Sequence, residues 1–178
     1  MDWRAAEAAL GIDLPGDYKR FADAYGPGLI DDHLIICTPG AATGWTDLLD
    51  NNEMAQESCR IWFGGFDDGP FNRAEEPWPL GDSSRWNGDD VPDWFQPGDD
   101  LISWGGTGNS DFLFWHIRPG VAAADHPVVL RERGPHFERF EAGFAATLTG
   151  LLTGAIRSEY LGRWLRAPHS YNLAGRRA

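Results

Sequence analysis

The chain has 178 residues, with 42% hydrophobic and 24% charged, enough for one domain with a proper core and unlike a disordered chain. Its 27 acids against 15 Lys and Arg leave a formal net charge of -12, which disfavours nucleic-acid binding, because neutralising phosphates needs clustered Lys and Arg. No apolar run approaches the roughly 18–20 residues that span a bilayer, and MDWRAAEAALG lacks the basic start and apolar stretch of a secretory signal, so a soluble cytoplasmic protein, a monomer or weak dimer, is expected.

Local signals then run as follows. Asp2 caps a first helix through Leu10, and Gly11 ends it in the left-handed conformation. Leu14-Pro15-Gly16-Asp17 starts a second helix, with Pro15 where its missing N–H costs least. Tyr18, Phe21, Ala22 and Tyr25 recur at helical spacing as its buried face, and Gly26-Pro27-Gly28 stops it. His33 to Thr38 reads as a short strand closed by Pro39-Gly40. Thr43 or Thr46 opens a long helix across Leu48, Leu49 and Met54 towards Ile61 and Phe63. Residues 64–100 lose helical periodicity and are rich in Gly, Pro and Asp, yet contain Trp78, Trp86 and Trp94. Disordered linkers are poor in aromatics, so an ordered, loop-rich insertion is expected.

Leu101 to Gly105 is a strand, Gly106 to Ser110 a turn, and Asp111 to Ile117 a second strand with large residues on both faces, as in a central strand covered on two sides. Gly105-Gly106-Thr107-Gly108 leads into a strand rather than a helix, so its glycines read as hairpin chemistry and not as a phosphate cradle. Pro127 to Arg133 is a third strand, and His136 to Phe140 a shorter fourth. In the helix from about Ala142 to Thr153, Phe144, Leu148, Leu151 and Leu152 form one packing stripe, and Gly154 stops it. Glu159 to Leu165 reads as a short helix, followed from about residue 167 by a tail expected to fray. The fold class is α+β: one domain, mainly antiparallel sheet, packed with N-terminal, middle and C-terminal helices.

Chemistry-bearing motifs are scarce. There is no Gly-x-Ser-x-Gly elbow, no phosphate-binding Gly-x-x-x-x-Gly-Lys motif and no Cys-x-x-Cys. The single lysine, Lys19, reads as a solvated surface charge. Cys37 and Cys59 read as buried free thiols. His33 beside Asp31 and Asp32 lacks the further ligands of a metal site and reads as a turn with solvated carboxylates; no metal and no cofactor are expected. His116 reads as a satisfied, half-buried imidazole with no partner positioned by the sequence. Trp104 and Trp115 belong to the core, and Trp62 packs at a helix end.

The charge itself is segregated. Residues 31–111 hold 17 acids and 3 bases, whereas residues 112–178 hold 5 acids and 9 bases. The acid pairs Asp67-Asp68, Glu75-Glu76, Asp89-Asp90 and Asp99-Asp100 admit three readings: a solvated surface, a macromolecular binding face, or a metal or catalytic site. Exposed tryptophan among carboxylates is the composition of a hot spot facing a basic protein; the alternative is a private core of the insertion. On the first reading, the candidate protein-binding residues are Asp67, Asp68, Glu75, Glu76, Trp78, Trp86, Asp89, Asp90 and Trp94.

Two separated stretches carry a resemblance. In LPGDYKRFADAYGPG, residues Leu14, Pro15, Asp17, Tyr18, Lys19, Phe21, Tyr25, Gly26 and Gly28 match the opening of the SUKH superfamily. In LISWGGTGNSDFLFW, residues Trp104, Gly105, Thr107, Asn109, Asp111, Leu113, Phe114 and Trp115 match its hairpin, while Ser103 and Ser110 stand where Pro and Gly are frequent. The resemblance implies helices on an antiparallel-rich sheet without catalytic residues. The bacterial branch it is similar to comprises immunity proteins that bind and block a cognate toxin, often a nuclease. The expectation is therefore a non-enzymatic immunity protein that occludes a basic protein toxin, without nucleic-acid or membrane contact. A general interaction module in cell-wall or signalling regulation is the alternative, and a metal-dependent hydrolase a further one.

Overall fold

The computed structural model describes residues 1–63, 92–134 and 136–174. Helices α1 (Trp3–Leu10) and α2 (Gly16–Tyr25) lead into the hairpin β1 (Gly28–Ile30) and β2 (Leu34–Ile36), and then into helix α3 (Leu48–Phe63). Strands β3 (Asp100–Thr107), β4 (Phe112–Ile117), β5 (Val128–Arg131) and β6 (Phe137–Phe140) follow as a meander. A short 3-10 turn, Ala123–Asp125, joins β4 to β5, and helix α4 (Phe144–Thr153) and strand β7 (Tyr171–Leu173) complete the described elements. All seven strands form one antiparallel sheet in the order β6-β5-β4-β3-β2-β1-β7. The fold is α+β, as expected.

Strand alternation sorts the core into two layers. Ile102, Trp104, Leu113, Trp115, Val128 and Leu130 project to one face and pack with Ala6, Tyr18, Ala22, Phe144, Leu148 and Leu151 of α1, α2 and α4. Leu101, Phe114 and Val129 project to the other and pack with Ala55 and Cys59 of α3 and with Phe95. Strand β4 is thus apolar on both sides because each face has its own helical cover. Tyr18 sits at the centre of the larger layer. Its ring meets Trp115 edge-on at 4.8 Å and Phe144 at 5.2 Å, and its hydroxyl donates to the Cys37 carbonyl at 2.7 Å. That buried hydroxyl is paired, as burial requires.

The α1 reading holds in detail: the Asp2 carboxylate accepts from Ala5 N–H, and Gly11 adopts φ 70°. Gly154 ends α4 in the same way at φ 75°. In α2, however, only Tyr18 and Ala22 are buried, and Tyr25 is exposed at the last turn. The long helix starts later than Thr43 or Thr46 suggested. Asp47 caps it, with Oδ1 accepting from Leu49 and Asp50 N–H while Oδ2 accepts from Gly40 and Ala41 N–H.

The glycines of the β3–β4 hairpin serve a different purpose from the one expected. A Cβ on Gly105 would lie 2.3 Å from the Ile35 carbonyl oxygen, and one on Gly106 would lie 2.7 Å from that of Asp111. They permit close backbone approach within the sheet, while the left-handed turn position is taken by Ser110 at φ 67°. A bulge between Ser103 and Gly105 shifts the β3–β4 register.

The C-terminal expectations need correction. Residues 159–164 form turns rather than a helix, with Leu161 buried and its carbonyl accepting from both Trp164 and Leu165 N–H. The tail does not fray at residue 167: Tyr171–Leu173 pairs with β1, with Leu29 opposite Asn172. Backbone pairing and the seat of Tyr171 beside Phe21 and Tyr25 hold a segment whose composition reads as polar coil.

Candidate functional site

Of the nine candidate binding residues, Asp67, Asp68, Glu75, Glu76, Trp78, Trp86, Asp89 and Asp90 lie outside the described residues. Trp94 is described and is half-buried. Its ring lies edge-on to His116 at 5.0 Å and Phe137 at 5.6 Å, with the Arg139 guanidinium 5.7 Å over it. Trp94 closes the smaller core layer on one flank.

Among the described residues, helix α3 gathers the carboxylates Asp50, Glu53 and Glu57. Its inner side is Leu48, Asn51, Asn52, Ala55 and Cys59, all buried. Its outer side presents Asp50, Met54, Glu57 and Ile61 at helical spacing, with Glu53 alongside and Trp45 just before the helix. Met54, Ile61 and Trp45 are 45%, 46% and 44% exposed. The two asparagines Asn51 and Asn52 are polar yet face inward, while Met54 and Ile61 face outward. The outer stripe therefore alternates carboxylates with apolar side chains. The basic residue of this helix, Arg60, is engaged by Glu57 and Gln56.

Polar contacts fix α3 on the sheet. The β3 bulge turns Ser103 towards the helix, where its N–H donates to Asn52 Oδ1 and its hydroxyl to Asn51 Oδ1, both at 2.8 Å. Arg131, fully buried, reaches from β5 to Ser58 Oγ and lies over the Phe112 ring. These contacts set the rotation of α3, and with it which residues face outward.

His33, His116 and His126 are buried. His116 is fully buried, not half-buried, and its Nε2 lies 2.7 Å from Asp99 Oδ2, itself 4% exposed. Burial holds this imidazole below the usual histidine range despite the Asp99 hydrogen bond. Phe95 stacks on the same ring. The Asp99 hydrogen bond orients this ring in the core. Asp99 and Asp100 also part company, since Asp99 points inward to His116 and caps Gln96 N–H, while burial raises the Asp100 carboxyl. His33 is buried against Trp164, stacked at 4.4 Å.

Asp31 is not a solvated carboxylate: it accepts from Arg166 N–H, His169 and Ser170 N–H. Lys19 is not free either, being paired with Glu7. Cys37 and Cys59 are buried and unbridged. Among the described residues, no group of three or more His, Cys, Asp and Glu side chains is arranged to hold a metal ion. Among the described residues, no helix is long and apolar enough to cross a membrane. No protein-family model, curated protein or solved structure matches this chain.

Proposed function

We propose that this protein binds and occludes a basic protein, in the manner of an immunity protein blocking a cognate toxin. The observation that carries the reading is the outer stripe of α3, where exposed Met54, Ile61 and Trp45 lie among Asp50, Glu53 and Glu57. Apolar anchors supply contact energy once desolvated, and the surrounding carboxylates steer a cationic surface into register. The charge segregation supports it, since residues 31–111 hold 17 acids against 3 bases, a larger negative excess than that of the whole chain. The resemblance to the SUKH superfamily supports it further. Its two matched stretches meet at the Tyr18–Trp115 contact, so they serve the core and leave the α3 surface free to be specific to a partner.

The test is binding to the toxin encoded beside this gene, measured by calorimetry across a salt series. Native protein is expected to bind with affinity that falls as salt rises, and Asp50, Glu53 and Glu57 each changed to Lys are expected to weaken it progressively. Tight binding that ignores both salt and these charge reversals refutes the proposed surface; no binding and no inhibition refute the proposed function.

A further inference from the structure

The two carboxylates between β1 and β2 do a job that the sequence does not announce. Asp31 and Asp32 both take the left-handed conformation, at φ 52° and 55°, and so turn their side chains towards the C-terminal segment. Asp31 Oδ2 accepts from Arg166 N–H at 3.3 Å and its Oδ1 from Ser170 N–H at 2.8 Å. Asp31 N–H returns a bond to the Ser170 carbonyl, and Asn172 Nδ2 donates to Asp32.

His169 completes the arrangement. Its Nδ1 lies 2.6 Å from Asp31 Oδ2 and its Nε2 lies 2.7 Å from the Leu152 carbonyl oxygen. An ionised carboxylate and a carbonyl only accept, so both ring nitrogens must donate, and only the imidazolium does that. A neutral ring would turn a lone pair on one of the two oxygens. Leu152 lies in the last turn of α4, whose terminal carbonyls lack helical partners and favour a cation. The charged groups around the ring are few. Asp31 meets it from the turn, Asp32 binds Asn172 beside it, Arg166 precedes it in sequence, and α4, β1 and β7 contain no charged residue.

We propose that His169 is a proton-controlled latch that holds β7 on the edge of the sheet, closed by the imidazolium bridge between Asp31 and the end of α4. Opening uncovers the outer hydrogen-bonding groups of β1 and removes Tyr171 from its place beside Phe21 and Tyr25. The direction of the pH effect follows from the bridge. The Asp31 hydrogen bond and the Leu152 carbonyl raise the His169 titration above that of a free histidine. The hydrogen bonds from His169, Ser170 and Arg166 hold Asp31 below the ordinary carboxylate range, outweighing its partial burial. The latch is therefore strongest when Asp31 is ionised and His169 protonated, and it weakens as pH rises through the His169 titration.

The experiment is amide hydrogen exchange of the full chain, read at Asp31 and Ala174, which donate to Ser170 and Pro27 carbonyls, from pH 5.5 to 9 after correction for intrinsic rates. Protection is expected to fall across the His169 titration, by about tenfold for each pKa unit that closure adds. His169→Gln is expected to lose that pH dependence and to sit at the high-pH level, and Asp31→Asn to behave alike. Ring 15N shifts of the native protein give an independent reading and should show an imidazolium persisting above pH 6.5, the free-histidine range. A neutral ring at that pH, pH-independent protection, or an unchanged profile in His169→Gln each overturns the latch.

Discussion

Asn52→Leu tests whether the β3 bulge depends on α3. The Ser103 N–H donates to Asn52 Oδ1 at 2.8 Å in a site where both residues are buried. Leucine keeps the branched shape but removes the acceptor, so the N–H is left without its partner away from water. An orphaned buried donor costs about 1–3 kcal/mol. For a domain of this size, each kcal/mol lowers the melting temperature by roughly 2–4 °C, so a loss near 2 kcal/mol corresponds to about 4–8 °C. Urea unfolding followed by tryptophan fluorescence measures it, with an unchanged m-value showing that the cost belongs to the native contact. Asn51→Leu, which removes the acceptor of the Ser103 hydroxyl, should cost less, since that hydroxyl also reaches the Gly105 and Leu113 carbonyls. A loss below about 0.5 kcal/mol for Asn52→Leu, the range of a neutral surface change, would refute the argument that this amide holds the bulge to the helix.

Gly105→Ala places a methyl 2.3 Å from the Ile35 carbonyl, a backbone atom that cannot swing aside, and should cost about 3 kcal/mol by urea unfolding; wild-type stability would refute it. Cys59 is buried with its thiol pushed up to about 11, and burial raises Cys37 further, so neither should react with a thiol reagent at pH 8 until urea unfolds the chain. Burial holds His33, His116 and His126 below the ordinary histidine range, so the unfolded chain takes up protons first, and stability should fall as pH drops below about 6.5. His169, raised instead, opposes this by a single group, and a stability profile flat from pH 7 to 5 would contradict the assignment of three neutral buried imidazoles.

Residues whose role is local were legible. Asp2, Gly11 and Gly154 announce helix ends because capping is decided within a turn or two of the residue itself. The strands from Leu101 to Phe140 were legible because β-branched and aromatic runs are bounded by turns. Residues whose role is set by distant partners were not. Strand β1 is three residues long and begins on the last glycine of the Gly-Pro-Gly stop, so nothing local distinguishes it from a loop. Strand β7 is polar and owes its conformation to β1. Asp99 finds His116 only because the β3 approach brings residues 17 apart into contact. On α3, two inward asparagines and two outward apolar residues inverted the pattern by which a buried face is recognised. The eight candidate residues within 64–91 lie outside the described residues.

The pairing of β7 with β1 sets an order of assembly. Strands β3 to β6 are consecutive in sequence and can zip together as soon as they emerge during synthesis, and β1 and β2 form their own hairpin earlier still. Among the described strands, the outermost place beside β1 is filled by the segment that leaves the ribosome last. Until then the nascent chain exposes the outer edge of β1, and a neighbouring chain on the same message could occupy that place first. Rapid sealing by an already charged His169 would limit the interval in which such an exchange can occur.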